Sequence, residues 1–347
     1  MRDGVFMKKI TVIGNGVLAL SVAAQVAHAG AETVYVDLSS NSPLSQKSCE
    51  IAVEGKANYK TEIFRTTSYS SVSEAEIVII GATASYHSRV FDEILPFLKS
   101  GQTVLFFPAC YGAVALLDKI QKRALDVTVC EAVSFLYVCE QKAENCIFVQ
   151  SIKKSMKIAV FPKQRQENAI LILSKYFDGL KSAANFLETS LDNMNVTLHP
   201  LPLLLNIASA ERNPKGFYHY TEGVSPTVGR LMVALDEERM EIGKALGVNL
   251  TSAYEQLCEY YGDRKLNTMT EYVSSEMGPY TEVKGFGLDS RYIVEDVPFL
   301  LVPAISLAKK CGVKTPVMNT VLSLANLIKE TEYEKIGYNF ENMNAVI

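Results

Sequence analysis

The chain is predicted to form an α/β domain on a doubly wound parallel sheet, followed by a mainly α-helical domain. Three observations predict this. Short β-branched runs alternate with helical patterns through the first half, a glycine-rich turn joins the first run to the first helix, and strand signals stop near Glu188. With 347 residues the chain is long enough for two separate cores, placed at 1–187 and 188–347.

In chain order, residues 9–13 form a β-branched strand, 14–16 turn, and 17–29 continue as an apolar helix that Gly30 stops. Residues 33–37 are the next strand, and the serine-rich stretch 39–48 reads as a polar loop. A buried strand at 77–80, a helix at 85–98 and a strand at 103–107 follow; further strands are expected at 127–130, 147–151 and 157–161, then a helix at 164–177. Beyond the boundary, helices are expected at 202–211, 225–246, 298–310 and 317–329. The second of these is the best specified: Ser225 serves as N-cap, Pro226 takes the first helical position, and Gly247 supplies the stop.

Composition is that of an ordinary globular protein, with 48% hydrophobic and 21% charged residues. The 34 basic and 38 acidic residues are mixed along the chain, without the basic stripe that phosphate-backbone binding needs, so no nucleic-acid partner is expected. Seven cysteines, an odd number with no CxxC pair, favour neither a disulfide framework nor a zinc site, so no metal is expected and a reducing cytoplasm fits. Lys8, Lys9, an apolar stretch from Val17 and Ala27-His28-Ala29 imitate a signal peptide. Gly14-Asn15-Gly16 and Gln25 interrupt that pattern, and the strand–turn–helix reading is preferred. No apolar run reaches the roughly 18 to 20 residues of a membrane span.

Gly14-Asn15-Gly16-Val17-Leu18-Ala19 is a GxGxxA at a strand-to-helix turn. The first glycine permits the turn, the second lets backbone approach a pyrophosphate, and small Ala19 allows helix to pack closely on strand, as in the Rossmann dinucleotide fold. Asp37 ends the second strand about 20 residues on, where a carboxylate accepts hydrogen bonds from ribose hydroxyls; a strand-end carboxylate capping the Ser39 loop is the alternative. A carboxylate there repels the 2′-phosphate of NADPH. Residues 39–42 contain no arginine to offset it, and Lys47 and Lys56 lie too far along the loop, so NAD is expected over NADP.

Hydride transfer to a carbonyl or imine requires a proton donor and a cation for the substrate carboxylate. His199 is one candidate, biased toward an extended conformation by Pro200, and Arg291 and Asp296 are others. A structural histidine, a surface ion-pair arginine and an N-cap aspartate remain open for them. His87 is placed to touch the nicotinamide, though loop polarity explains it as well; His219 reads as packing between tyrosines, and Cys110 as a small buried hydrophobe.

The chain resembles the octopine/nopaline (opine) dehydrogenase family over both halves. The likeness rests on the GNGxxA opening, NxxxHP at 195–200 with Asn206 after it, and Phe217-Tyr218-x-Tyr220-x-Glu222-Gly223 followed by Ser225-Pro226. It also includes Leu235-Asp236-x-Glu238-Arg239 and LDSRYxxEDVPF at 288–299. The resemblance implies that His199 and Asp296 form a catalytic pair, that Arg291 holds substrate carboxylate, and that Glu131 lies near the amino-acid pocket. It implies a reductive condensation, in which an amino acid joins a 2-oxo acid such as pyruvate and NAD(P)H reduces the imine, by a monomer or homodimer with small-molecule partners alone. The loop 107–112 lacks the Gly-Arg that family members often carry after the proline, so the resemblance speaks to the reaction more than to the amino acid used. A related reductase making a 2-hydroxy acid, and a silent NAD-binding sensor, are the competing readings.

Overall fold

Continuous apolar runs occupy the middle of one eleven-stranded sheet, and alternating runs extend it on both sides. The computed structural model describes residues 8–40, 43–213, 216–262, 266–285 and 287–340, and the chain divides into two units between Phe186 and Leu187. The sheet of the first unit comprises β1 (Lys9–Gly14), β2 (Glu32–Asp37), β3 (Lys47–Gly55), β4 (Tyr59–Thr66), β5 (Ile77–Ile80), β6 (Thr103–Phe106), β7 (Thr128–Ala132), β8 (Tyr137–Ala143), β9 (Cys146–Ile152), β10 (Met156–Phe161) and β11 (Leu180–Ser182). Their order is β11-β10-β7-β6-β5-β1-β2-β4-β3-β9-β8. From β7 to β4 all neighbours are parallel. The chain runs outward from β1 through β2 to β4, then returns to β5 and runs outward the other way through β6 and β7. The reversal between β1 and β5 is the switch point at which doubly wound sheets hold ligands, beside the carboxyl ends of the strands. Val12, Ile13 and the whole of β5 are at most 1% exposed, and each such side chain contributes about 1.5–3 kcal/mol through burial.

The flanks depart from the expected pattern. The antiparallel pair β3–β4 follows the stretch read as a loop, in residues to which the sequence reading gave no element; a second hairpin β8–β9 joins it through β3 and β9, and β10 runs antiparallel to β7. β9 and β10 are the strands expected at 147–151 and 157–161, whereas β3, β4 and β8 escaped the sequence reading because their few buried apolar residues, such as Ile51 and Val53 in β3, stand among exposed or half-buried ones. That is the weaker signature of a half-solvated sheet. Four helices accompany the sheet: α1 (Val17–His28), α2 (His87–Ile94), α3 (Gly112–Lys122) and α4 (Gln166–Leu173). α2 is shorter than expected. It follows a 3₁₀ turn, Ala84–Tyr86, and stops ahead of Pro96, whose ring cannot continue a helix.

The second unit is helical: α5 (Phe186–Leu191), α6 (Asn195–Leu198), α7 (Pro200–Leu205), α8 (Ile207–Arg212), α9 (Pro226–Leu246), α10 (Ala253–Tyr261), α11 (Met269–Ser274), α12 (Arg291–Val294), α13 (Val302–Cys311) and α14 (Pro316–Lys329). α9 is as the sequence specifies: the Ser225 hydroxyl accepts the Val228 N–H at 3.3 Å, and Gly247 closes the helix at φ +70°. It packs against α6, α7, α13 and α14. The single helix expected at 202–211 is broken at Asn206, whose amide donates to the carbonyls of Pro202 (2.9 Å) and Gly223 (2.7 Å). Among the described residues no helix is long and apolar enough to cross a membrane.

α9 also explains the run Leu235-Asp236-x-Glu238-Arg239. Fully buried Arg239 donates to Asp236 Oδ1 at 2.8 Å, Asp192 Oδ1 at 3.1 Å and the carbonyls of Leu191 and Thr251. Asp236 in turn accepts the Ala253 N–H at 2.8 Å and the Thr197 hydroxyl at 3.2 Å. A guanidinium satisfied on every side is stable in the interior, and this one ties α5, α9 and α10 to α6, two residues before His199.

Candidate active site

At the carboxyl end of β1 the glycine turn has the geometry its sequence requires. A Cβ on Gly14 would stand 2.3 Å from the Ala19 Cβ, and one on Gly81, after β5, would stand 3.0 Å from it. Both glycines and the small Ala19 are therefore needed for α1 to lie this close to the sheet. Gly16 takes φ +94°, costly for any other residue, and nothing lies within 4 Å of where its Cβ would be. Asn15 spans the switch point, accepting the Thr83 N–H at 3.1 Å. No side chain caps the N-terminus of α1, whose first N–H groups have no partner within the helix.

Asp37, almost fully buried, closes the same edge. Its Oδ1 accepts the Ser39 N–H at 2.9 Å and hydroxyl at 2.6 Å. Its Oδ2 accepts Arg65 Nε at 2.9 Å and Nη2 at 2.5 Å. Burial works against the charge, yet the bonds from Ser39 and Arg65 outweigh it and hold the carboxyl below its ordinary range. This corrects the argument for NAD. A cation does offset Asp37, and it comes from β4, where Arg65 pairs in register with Tyr35. Of the segment scanned for arginine, Asn41 and Ser42 lie outside the described residues.

In the second unit His199, Asp296 and Arg291 come together. His199 Nδ1 and Asp296 Oδ2 are 2.6 Å apart, with Asp296 fully buried and His199 nearly so. Contrary to expectation, His199 is not extended. It sits at φ −108°, ψ −63° between α6 and α7, held by its N–H to the Asn195 carbonyl at 3.0 Å, and Pro200 opens α7. Asp296 caps no helix; it lies between α12 and a π turn, Val297–Leu301. Burial pushes its carboxyl up to about 6 against the pull of Arg291. Its Oδ1 has no hydrogen-bond partner among the described residues, with Arg291 Nη2 3.9 Å away. Arg291, about a third exposed at 35%, donates Nε to Glu295 at 3.0 Å. Its pair is thus a carboxylate that is itself buried, not a surface one.

Tyr292 and Glu295 escaped the sequence reading. The Tyr292 ring stacks on that of His199, 3.8 Å between centroids and 10° from parallel, and His219 packs edge-on against Tyr292. Both residues stand inside the quoted 288–299 motif, where Glu295 follows Tyr292 by three residues and Arg291 by four, and that helical spacing of Glu295 was the available signal. Glu131 belongs to the first unit. Fully buried at the end of β7, it accepts the Ala113 N–H at 3.3 Å at the start of α3. His87 is a buried residue at the start of α2 whose ring lies against Gly112, so loop polarity does not account for it. Cys110 is buried, as expected.

An open glycine turn at the switch point of a parallel sheet, together with a buried His–Asp pair beside an arginine, defines a nicotinamide-dependent dehydrogenase. A family profile described as NAD/NADP octopine/nopaline dehydrogenase, alpha-helical domain, matches residues 182–329. An opine dehydrogenase of Arthrobacter sp. (strain 1C) is 31% identical over 277 residues, covering 79% of this chain and 76% of its own. Octopine dehydrogenase, solved with NADH and L-arginine, shares the fold at a TM-score of 0.74 and 17% identity over 93% of this chain and 90% of that one. Yersinopine dehydrogenase with NADP+ bound does so at 0.72 and 16%, over 95% and 93%. The chain belongs to the opine dehydrogenase family, and it is an NAD(P)H-dependent oxidoreductase of that kind.

Proposed function

We propose that the protein joins the amino group of an amino acid to the ketone of a 2-oxo acid such as pyruvate and reduces the resulting imine, with NADH preferred to the extent that the charge of Asp37 exceeds what Arg65 offsets. The observation that carries this reading is the buried 2.6 Å His199–Asp296 pair with Arg291 beside it. Gly14, Asn15, Gly16 and Ala19 would hold the dinucleotide at residues 1–187, with its pyrophosphate on the α1 N-terminus and its ribose near Asp37. The open space at Gly16 suits such a group. When bound, the cofactor supplies the hydride that reduces the imine carbon.

The remaining chemistry belongs to residues 188–347. Condensation of amine and ketone expels water, and the leaving oxygen takes a proton; the reduced nitrogen must also end protonated. His199 exchanges those protons. Asp296 on Nδ1 favours the tautomer that presents Nε2 to substrate and steadies the ring when it is charged. Arg291, its Nε anchored by Glu295, turns its outer edge to a substrate carboxylate in the bidentate manner that lysine cannot reproduce. Glu131, a fully buried carboxylate, is assigned to the ammonium side of the amino acid. Seven free cysteines suit the reducing cytoplasm.

The test is NADH oxidation with pyruvate across a panel of amino acids, with the product weighed by mass spectrometry. Oxidation that depends on one amino acid and yields the joined secondary amine is expected. Turnover with pyruvate alone, giving the 2-hydroxy acid, would refute the reading.

A further inference from the structure

Asp37 is more heavily engaged than a ribose-binding carboxylate needs to be. Two donors from Ser39 fill Oδ1 and two from Arg65 fill Oδ2, which accounts for about all four lone-pair sites of a carboxylate. The arginine is neither local nor incidental. It projects from β4, the parallel neighbour of β2, with its side chain only 18% exposed, and its remaining edge meets the exposed carboxylate of Glu144 at 3.3 Å. A planar guanidinium thus stands on the carboxylate that would contact the adenosine ribose, in the geometry that also suits phosphate.

We infer that Arg65 is a latent 2′-phosphate site which Asp37 occupies, so that the Asp37–Arg65 pair, not Asp37 alone, sets the discrimination between NADH and NADPH. The inference rests on the dinucleotide reading of the glycine turn. An isolated carboxylate repels a 2′-phosphate in full. Here the guanidinium compensates that charge at contact distance, and a phosphate carrying up to two negative charges competes with Asp37 for the same donors. Ribose hydroxyls carry no charge with which to compete. Arg65 therefore acts on NADPH far more than on NADH.

The experiment measures Kd for NADH and NADPH directly, by the fluorescence of the reduced nicotinamide, so that no turnover is required; circular dichroism confirms that each variant is folded. Arg65→Ala should raise the ratio Kd(NADPH)/Kd(NADH) about tenfold, since hydrogen bonds to charged groups are each worth roughly that factor. Asp37→Asn, which keeps the shape but uncovers the guanidinium, should lower the ratio by about as much on the same reasoning. The double variant should lose that gain. Arg65→Lys keeps the charge without the fork and should fall between wild type and Arg65→Ala. Equal weakening of both dinucleotides by Arg65→Ala, or a gain in Asp37→Asn that survives without Arg65, overturns the inference and leaves Arg65 as a prop for Asp37. A wild-type protein that binds neither dinucleotide overturns the cofactor reading itself, an outcome distinct from a ratio that fails to move.

Discussion

The His199 ring is constrained from two directions: Asp296 fixes its edge through Nδ1 and Tyr292 covers its face at 3.8 Å. His219 completes the packing around Tyr292. Burial, and the proximity of His199, push its ring down to about 3, so that it stays neutral at working pH and adds no charge beside the pair. An acid–base group works only if the angle of its ring is held, and stacking of this kind is worth about 0.5–1.5 kcal/mol. Tyr292→Leu should therefore lower kcat about three- to tenfold, because each 1.36 kcal/mol is a factor of ten. Tyr292→Phe, which keeps the face, should retain most of the activity. The pH profile of kcat separates positioning from mere stability: a loosened ring shifts the profile in the leucine variant, whereas an unchanged profile in a folded Tyr292→Leu protein would count against the stack as a positioning device.

Among the elements, α14 shows how one helix can be started by another. Thr315 makes no side-chain cap, and the first N–H groups, of Val317 and Met318, are taken instead by Glu238 of α9 at 2.6 and 2.9 Å. A carboxylate at a helix N-terminus satisfies the orphan donors and complements the dipole. Glu238→Leu strands both donors in a half-buried place and should cost about 2 kcal/mol, while Glu238→Gln, which still accepts a hydrogen bond, should cost about 1 kcal/mol. Denaturant unfolding of the two variants checks the order; equal losses would mean that the side chain serves by packing alone. α9, by contrast, carries its start and stop within its own residues, Ser225 and Gly247, and so it was legible in the sequence to within a residue.

At the scale of the molecule, burial of Asp296 makes stability depend on pH. Its carboxyl is raised from an ordinary 3.8 to about 6, so the folded chain holds this proton more tightly than the unfolded one. The contribution is fully present below about pH 4 and is lost as pH rises through 6. Asp296→Asn has no charge to bury. Between pH 4 and 7 its stability relative to wild type should improve, by on the order of 3 kcal/mol at 1.36 kcal/mol per unit. A difference that stays flat across that range would contradict the shift. The chain by itself determined the alternation of β1, α1, β2, β5, α2 and β6, the glycine turn before α1 and the termini of α9, because each is written within a few neighbouring residues as periodicity, a cap or a breaker. It also supplied, through motif likeness, the residue types of the His199, Arg291 and Asp296 group. Only the tertiary structure decided that His199 meets Asp296, that Tyr292 covers its ring, that Arg65 sits on Asp37 and that Glu238 starts α14. Each of these pairs residues on different elements, and strand register and helix packing, which no local pattern encodes, determine which distant side chains meet.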